Sequence, residues 1–587
     1  MSNLLLGTAT LNEEMTMDAS ISNDPEEFAE DALEGFAQLH NRYVRQVPGG
    51  VVRRVPGDTG KVAVLLGGGS GHYPAFAGLV GPGFADGAVV GNVFTSPSAQ
   101  YGYSVGKAAH RGSGVIFAYG NYAGDVMNFG VASRQLQAEG IEARNVIVTD
   151  DILSAPVSEM QRRRGIAGDF NVFKFLSAAA ETGANIDEVE RIGNLANDRT
   201  RTAGIALGGC TMPGADQQLF TVPEGKMAIG LGIHGEPGLK TVDLGTAKEI
   251  ATYLAQTVLA EAPGDSKRIA VLLNGLGSTK YEELFIVWKD TAKILMSQGY
   301  TLVMPEVGEL VTSLDMAGLS LTVTWLNDEL EPLWTAHART PAWTRHAQEQ
   351  GDVEGLDDGA AQQDELSEIP QGSAASQGLA AQILLALERA LQVIRNAEAQ
   401  LADLDSIAGD GDHGRGMVRG LSAAYESAKK SVTAGAGAGT VLQAAGDAWG
   451  AKAGGTSGIL WGSALRSAGA VLGDQQLPNH EAISAAAQAF VRSLESLGQA
   501  RVGDKTMLDA VIPWEHALSE TLGEGKDLSE AWETAVQVAH ESAQDTAKLA
   551  AKRGRARTHQ DASIGNPDPG AVSFALIVDS LMGELQQ

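Results

Sequence analysis

The sequence predicts two unlike halves, an α/β domain followed by an all-α domain, and three observations predict it. Ahead of residue 345, short β-branched runs at residues 62–66, 115–118, 146–149, 270–273 and 302–304 alternate with longer helical stretches. From Arg345 to Gly378, eight acidic residues meet one basic residue among Gln, Gly, Ala and Ser without apolar periodicity, the composition of a linker. Beyond it, Ile383, Leu384, Leu387, Leu391 and Ile394 recur at helical spacing, Ala-rich stretches follow at 481–497, 528–554 and 571–581, and strand signals nearly vanish. The expected layout is an α/β domain over residues 1–344, an acidic linker over 345–378 and an all-helical domain over 379–587.

Size and charge narrow the function. At 587 residues the chain outgrows a single hydrophobic core. A formal charge of -29 and only 5% aromatic residues argue against nucleic acid, because a phosphate backbone would be repelled and bases would find few stacking platforms. A bound phosphate therefore needs local help from a metal ion or backbone N–H groups. One cysteine, Cys210, allows no internal disulfide. The N-terminal stretch lacks the basic start and apolar core of a signal peptide, and no run approaches the roughly 20 apolar residues of a membrane span. A cytoplasmic enzyme is expected.

In the first half, the run at 62–66 empties into Gly67-Gly-Gly69-Ser70-Gly71-His72. This turn has neither the lysine of a P-loop nor the spacing of a dinucleotide fingerprint, but it delivers a histidine where α/β sheets bind ligands. Asp125, in Gly124-Asp125-Val-Met-Asn128, follows the next strand. His234 lies in Gly232-Ile-His234-Gly235-Glu236-Pro237-Gly238. Each alone reads as a turn or cap residue; three in glycine-rich turns after strands point to a site.

In the second half, Asp405, Asp410 and Asp412 fall within one tight glycine-rich turn. Crowded carboxylates repel unless a cation neutralises them, and hard oxygen ligands favour magnesium or calcium. An EF-hand starting at Asp410 fails, since Arg415 stands where its glycine belongs and Leu421 where its glutamate belongs. The rival is an exposed acidic turn closing a helix. Gly454-Gly455-Thr456-Ser457-Gly458 and Gly503-Asp504-Lys505-Thr506-Met507 add backbone and hydroxyl donors suited to phosphates. The Gly/Ala alternation over 433–440 reads as a flexible loop without chemistry.

These segments, with Thr312-Ser-Leu-Asp-Met-Ala317 in the first half and Gly554-Arg555-Ala556 and Ile564-Gly-Asn-Pro-Asp-Pro-Gly570 in the second, resemble the dihydroxyacetone kinase family in content and order. The resemblance implies a substrate half of two α/β subdomains, with a break near residue 200, and a nucleotide half shaped as a barrel of antiparallel helices. By the same resemblance, His234 attacks a ketone to form a covalent hemiaminal, Asp125 accepts the proton of the attacking hydroxyl, and His72 hydrogen-bonds the substrate and assists proton transfer. Gly69, Ser70 and Gly71 would line the ketose site. Asp405, Asp410 and Asp412 would hold two Mg2+ ions against ATP. His413, Gly414, Gly455, Thr456, Ser457, Met507, Arg555, Asp568, Pro569 and Gly570 would contact the nucleotide.

Fusion of both halves on one chain implies ATP as donor, and fused members of the family form homodimers with exchanged domains. Four positions depart from the family pattern: Tyr73 and Asn92 where glutamate is common, Ala562 where arginine is usual, and Asn566 in the Pro-Asp-Pro-Gly segment. Fewer acids beside the pocket would admit a longer ketose, so dihydroxyacetone and D- or L-erythrulose both remain as substrates. A ketose-binding regulatory protein and an FAD-cyclising lyase activity are the alternatives.

Overall fold

The computed structural model describes residues 21–264, 266–346, 369–407, 409–453, 455–552 and 563–582. The chain divides into two compact units, Met1–Glu354 and Gly355–Gln587.

The first unit opens with α1 (Phe28–Leu39) and the hairpin β1 (Val44–Val47) and β2 (Gly50–Arg53). An alternating series follows: β3 (Ala63–Ser70), β4 (Gly87–Val93), α2 (Ala99–Ala109), β5 (Val115–Gly120), α3 (Ala123–Ala138) and β6 (Ala143–Val148). Their sheet has the order β1-β2-β4-β3-β5-β6, with β4, β3, β5 and β6 parallel. The chain steps from β3 out to β4 and then back across to β5, so the carboxyl ends of these strands border a topological switch point, where α/β sheets bind ligands.

Two helices, α4 (Gly168–Glu181) and α5 (Ile186–Asp198), lead into a second sheet. It comprises β7 (Thr200–Ala206), β8 (Lys226–Ile229), β9 (Lys240–Asp243), β10 (Arg268–Gly275), β11 (Thr301–Leu302), β12 (Glu306–Gly308) and β13 (Gly318–Trp325). Its order is β11-β10-β13-β7-β8-β9, with β12 also on β10, and its central pairs are antiparallel. On one face lie α6 (Ala247–Leu259), started by a Thr246/Glu249 capping box, and α7 (Tyr281–Ser297). Helix α4 packs on β3, β5 and β6 of the first sheet and on β7 and β13 of the second, and nearly all of it is buried. Short α8 (Leu330–Thr335) packs on α4.

The second unit is helical: α9 (Ala374–Asn396), α10 (Glu398–Ser406), α11 (His413–Thr433), α12 (Ala438–Ala453), α13 (Gly455–Leu472), α14 (His480–Gly498), α15 (Leu508–Gly523), α16 (Leu528–Asp545) and α17 (Pro569–Ser580). Apart from α10, each packs on the next, and α17 returns to α9, which closes the ring into a barrel. Side-chain caps start several of these helices: Ser373, Asn479, Asp527 and Asp568 each accept a first-turn N–H. The sparse aromatics concentrate inside. Trp449 stacks on Trp461 at 4.9 Å, and Phe574 meets Trp461 at 6.0 Å and Trp514 at 5.4 Å.

The structure corrects two boundaries. Arg345, placed in the linker, is 3% exposed, stacks over Trp334 and Trp343 and pairs with Glu306. At the other end Ser373 caps α9, so residues 374–378 are helical, not linker. Most of the expected linker, residues 347–368, lies outside the described residues. The stretch over 433–440 is likewise not a flexible loop. It is a short turn with Ala436 buried, and Gly439 already belongs to α12.

That glycine has a packing role. A Cβ on Gly439 would lie 2.7 Å from the Gly469 carbonyl oxygen, and one on Gly446 would lie 2.4 Å from that of Gly462. The reverse contacts, Gly462 to Gly446 at 2.7 Å and Gly469 to Gly439 at 2.6 Å, repeat the pattern. α12 and α13 therefore touch backbone to backbone along a seven-residue spacing, and neither carbonyl can retreat as a side chain could. Gly446→Leu is expected to lower stability by about 2 kcal/mol, since an overpacking cost of about 1–3 kcal/mol or more exceeds a helix-propensity gain of under about 1 kcal/mol. Gly378→Ala, where a Cβ meets nothing within 4 Å, is expected to gain up to about 1 kcal/mol. Urea midpoints at unchanged m-value check both; equal midpoints would refute the seam.

Candidate functional site

In the first unit β3 is followed by Gly71, at φ +98°, which turns His72 inward to 2% exposure. Its Nδ1 lies 2.7 Å from the Thr312 carbonyl oxygen, and its Nε2 lies 3.0 Å from Nε2 of His234. On the far side of His234, Nδ1 lies 3.0 Å from the Glu236 carboxylate, which also accepts the His234 backbone N–H. A carbonyl and a carboxylate only accept, so each ring carries a hydrogen on Nδ1. A hydrogen bond between the two Nε2 atoms then needs one further proton, shared by the pair. Burial, helped by the neighbouring His234, pushes the His72 pKa down to about 3.

Aromatic rings wall this pair. Phe94 stacks on His72 at 5.1 Å and meets His234 edge-on at 5.2 Å, while Tyr122 meets His234 edge-on at 4.7 Å. Phe94 is held at φ +53° beyond β4, and the glycines of the turn make room for it. A Cβ on Gly69 would lie 2.6 Å from the Thr95 nitrogen, and one on Gly71 would lie 2.8 Å from the Phe94 ring. The Ser70 hydroxyl donates to the Gly91 carbonyl. Gly69, Ser70 and Gly71 thus build the wall around the histidines.

Asp125 stands in the first turn of α3, beyond β5, at 8% exposure. Burial pushes its carboxyl up to about 6, against the hydrogen bond from Ser96 and the nearby His234. Its Oδ1 is buried without a hydrogen-bond partner among the described residues, an acceptor open to a donor. Arg164 secures the His234 loop, pairing with Asp151 at 2.8 Å, donating to the Gly230 carbonyl at 2.9 Å and lying 3.8 Å from Glu236. Burial would raise the Glu236 carboxyl, but its bond to His234 outweighs this and holds it at about 2. Tyr73 is half exposed, with its ring 6.1 Å from Phe36. Asn92 accepts the N–H of Val93 and lines a separate hollow of about 480 Å³ with Glu30, Leu33 and Tyr101.

In the second unit Asp405, Asp410 and Asp412 each bring one carboxylate oxygen within 4.8 Å of the others. Asp405 also accepts the N–H groups of Asp412 and His413, at 3.0 and 3.4 Å. Gly409 must lack a side chain, since a Cβ would lie 2.4 Å from Asp405 Oδ1. Three converging carboxylates, Asp405 from the last turn of α10 rather than from the connecting turn that carries Asp410 and Asp412, are the donor set of a hard divalent cation, so the residues present fit Mg2+.

The carboxylates border a cavity of about 400 Å³. His413, Thr456, Ser457, Met507, Asp568, Pro569 and Gly570 line it. His413, Thr456 with Ser457, Leu508 and Pro569 with Gly570 belong to the first turns of α11, α13, α15 and α17. Four helix N-termini at one cavity supply backbone N–H groups and positive dipole ends, the local help that phosphates need in so acidic a chain. His413 Nε2 lies 3.0 Å from the Ser573 hydroxyl, and burial lowers its pKa. Burial pushes the Asp568 carboxyl up to about 7, with Asp509 adding to it. Gly414 faces elsewhere, packed where a Cβ would lie 2.2 Å from the Glu398 carbonyl oxygen, and Gly455 begins α13. Arg555 and Ala562 lie outside the described residues.

Sequence reasoning quoted Glu236 and Thr312 within motifs but gave them no role, and it missed Phe94, Ser96, Tyr122 and Arg164. Glu236 was legible as a carboxylate two residues past a histidine. The others become partners only through tertiary folding.

The Dak1 domain family matches residues 34–342 and the DAK2 domain family matches residues 407–583. The chain is 53% identical to a D-erythrulose kinase of Mycolicibacterium smegmatis over 94% of this chain and 96% of that one. It is 50% identical to an L-erythrulose kinase of Pectobacterium atrosepticum over 96% of each. Among solved structures, the dihydroxyacetone kinase of C. freundii in complex with AMP-PNP and Mg2+ matches with a TM-score of 0.58 and 27% identity over 96% of this chain and 99% of that one. With both domain families in sequence on one polypeptide and these relatives aligned along nearly all of it, the chain belongs to the dihydroxyacetone kinase family and is a kinase.

Proposed function

We propose that the protein transfers the γ-phosphoryl group of ATP to a terminal hydroxyl of a ketotetrose, D- or L-erythrulose, held covalently on His234. The observation that carries this reading is the His72–His234–Glu236 chain of hydrogen bonds in an aromatic-walled pocket beside Asp125. The identity to erythrulose kinases supports the four-carbon substrate.

The residues suit each step. With the proton that the pair shares on His72 Nε2, the lone pair of His234 Nε2 attacks the ketone carbon. The proton now on His72 neutralises the oxygen anion that forms, so the adduct is a hemiaminal with a hydroxyl group. His234 becomes an imidazolium substituted at Nε2, and the Glu236 carboxylate at its Nδ1–H stabilises that charge. Glycerol has no carbonyl to trap. Asp125, with its unpartnered Oδ1, accepts the proton of the attacking hydroxyl. Asp405, Asp410 and Asp412 would hold Mg2+, two ions in this reading, whose charge neutralises the phosphate oxygens of ATP. The helix N-termini around the cavity bind the same phosphates.

An ADP-release assay with D-erythrulose, L-erythrulose, dihydroxyacetone and glycerol tests the reading. Turnover is expected to be fastest with an erythrulose and absent with glycerol. His234→Ala should lose about 10²–10⁴-fold in kcat/KM and Asp410→Ala nearly all activity. A strong preference for dihydroxyacetone removes the four-carbon assignment, and turnover of glycerol removes the covalent one. The pH profile tests Asp125. A base must be ionised, so kcat should climb about tenfold per pH unit below about 6 and level off above it. Asp125→Asn should flatten that limb, and an unchanged limb would assign it elsewhere.

The homodimer with exchanged halves belongs to the same reading. Mixing inactive His234→Ala and Asp410→Ala chains through an unfolding and refolding cycle should restore roughly a quarter of wild-type activity, because half the dimers then hold one site with two intact halves. No recovery would mean transfer within one chain.

A further inference from the structure

Lys505 has no part in the chemistry described so far, yet it is one of the most confined side chains in the second unit. It is 6% exposed and held at φ +59°. Its Nζ donates to four backbone carbonyls, those of Thr546 at 2.9 Å, Leu549 at 3.0 Å, Ser563 at 2.7 Å and Asn566 at 2.7 Å. An ammonium has three N–H bonds, so four acceptors exhaust it and leave nothing for a phosphate oxygen.

The cage spans the nucleotide cavity's two walls. One wall is the turn carrying Lys505, Thr506 and Met507 into α15, shaped by Asp509, whose carboxylate takes the N–H groups of Gly503 and Thr506. The other wall runs from Ser563 through Asn566 to Gly570. Bonds such as Gly565 N–H to the Ala547 carbonyl and Asp568 N–H to the Thr546 hydroxyl tie the second wall to the end of α16, not to the first. The buried ammonium reaches from the first wall to the second through Ser563 and Asn566, beside a second described link in which the Lys552 N–H donates to the Asp504 carbonyl and the Ala551 N–H to the Ser563 hydroxyl.

We propose that Lys505 is a positioning residue for the nucleotide, an internal cation that sets the spacing of the two cavity walls through a carbonyl cage and does not touch the phosphates. The proposal rests on the reading of this cavity as the ATP site. Oxygens at 2.7–3.0 Å suit a potassium ion as well as an ammonium, so the cage has the character of a monovalent-cation site filled by the chain's own side chain.

The test measures binding of AMP, ADP and ATP with Mg2+ to full-length wild-type and Lys505→Ala protein, with thermal melting alongside. The variant is expected to weaken all three nucleotides by the same factor, about tenfold or more, because walls and not phosphates have shifted. Propylammonium or potassium chloride, against choline chloride, is expected to restore at least part of that loss by refilling the cage. A weakening that grows from AMP to ATP would make Lys505 a phosphate ligand and overturn the proposal. A lowered Tm with unchanged affinities would reduce it to a folding residue and overturn it equally. Should Lys505→Ala not fold, Lys505→Gln, which keeps an amide donor, carries the same comparison of AMP with ATP. Wild-type protein that binds no nucleotide would sink the ATP reading itself, whereas a normal wild type beside an undiminished variant sinks only the role of Lys505.

Discussion

The hydrogen bond between His234 Nδ1 and the Glu236 carboxylate is the interaction on which the proposed substrate pocket depends. It fixes the tautomer of His234 and aims Nε2 at His72. Much of the first unit serves to hold that geometry. The Thr312 carbonyl sets the opposite tautomeric end, Arg164 anchors the loop through Asp151 and Gly230, and Phe94 and Tyr122 keep both rings in place. The two sheets share the work. His72 and Asp125 come from the carboxyl ends of β3 and β5, while His234 follows β8 and Thr312 precedes β13. Neither sheet alone contains a complete site.

The second unit answers a different constraint. A chain with a formal charge of -29 has to attract a polyanion. In the proposed reading it does so with backbone, through the first turns of four helices around one cavity, and with carboxylates that fit a divalent cation in place of a row of lysines. Lys505, a buried lysine of the cavity wall, is turned to carbonyls. Positive charge is supplied locally while the surface stays acidic.

The sequence made the reactive groups legible because their chemistry tolerates few residue types. A histidine in a glycine turn after a strand, or three aspartates on one turn, has few uses. The α/β and helical halves were legible from periodicity. What stayed hidden depends on the third dimension. Phe94 and Tyr122 look like ordinary apolar residues until packing sets them against His234, and the partners of Lys505 are backbone carbonyls, which have no sequence signature. Composition also misled. Gly439 and its neighbours read as a loose connector because a glycine that frees the backbone and a glycine that lets two backbones meet are the same letter. Arg345 was counted into the linker since its aromatic stacking partners, Trp334 and Trp343, cannot be inferred from local charge.

The glycine seam between α12 and α13 also sets how the barrel responds to temperature. A contact built from backbone buries little apolar side chain, so separating it adds less heat capacity than parting a leucine interface of equal length. Its cohesion is dispersion and polar contact, which do not fade on cooling as hydrophobic association does. Cold therefore weakens the Trp449–Trp461 stack, which also joins α12 to α13, more than it weakens the backbone contacts of the seam beside it.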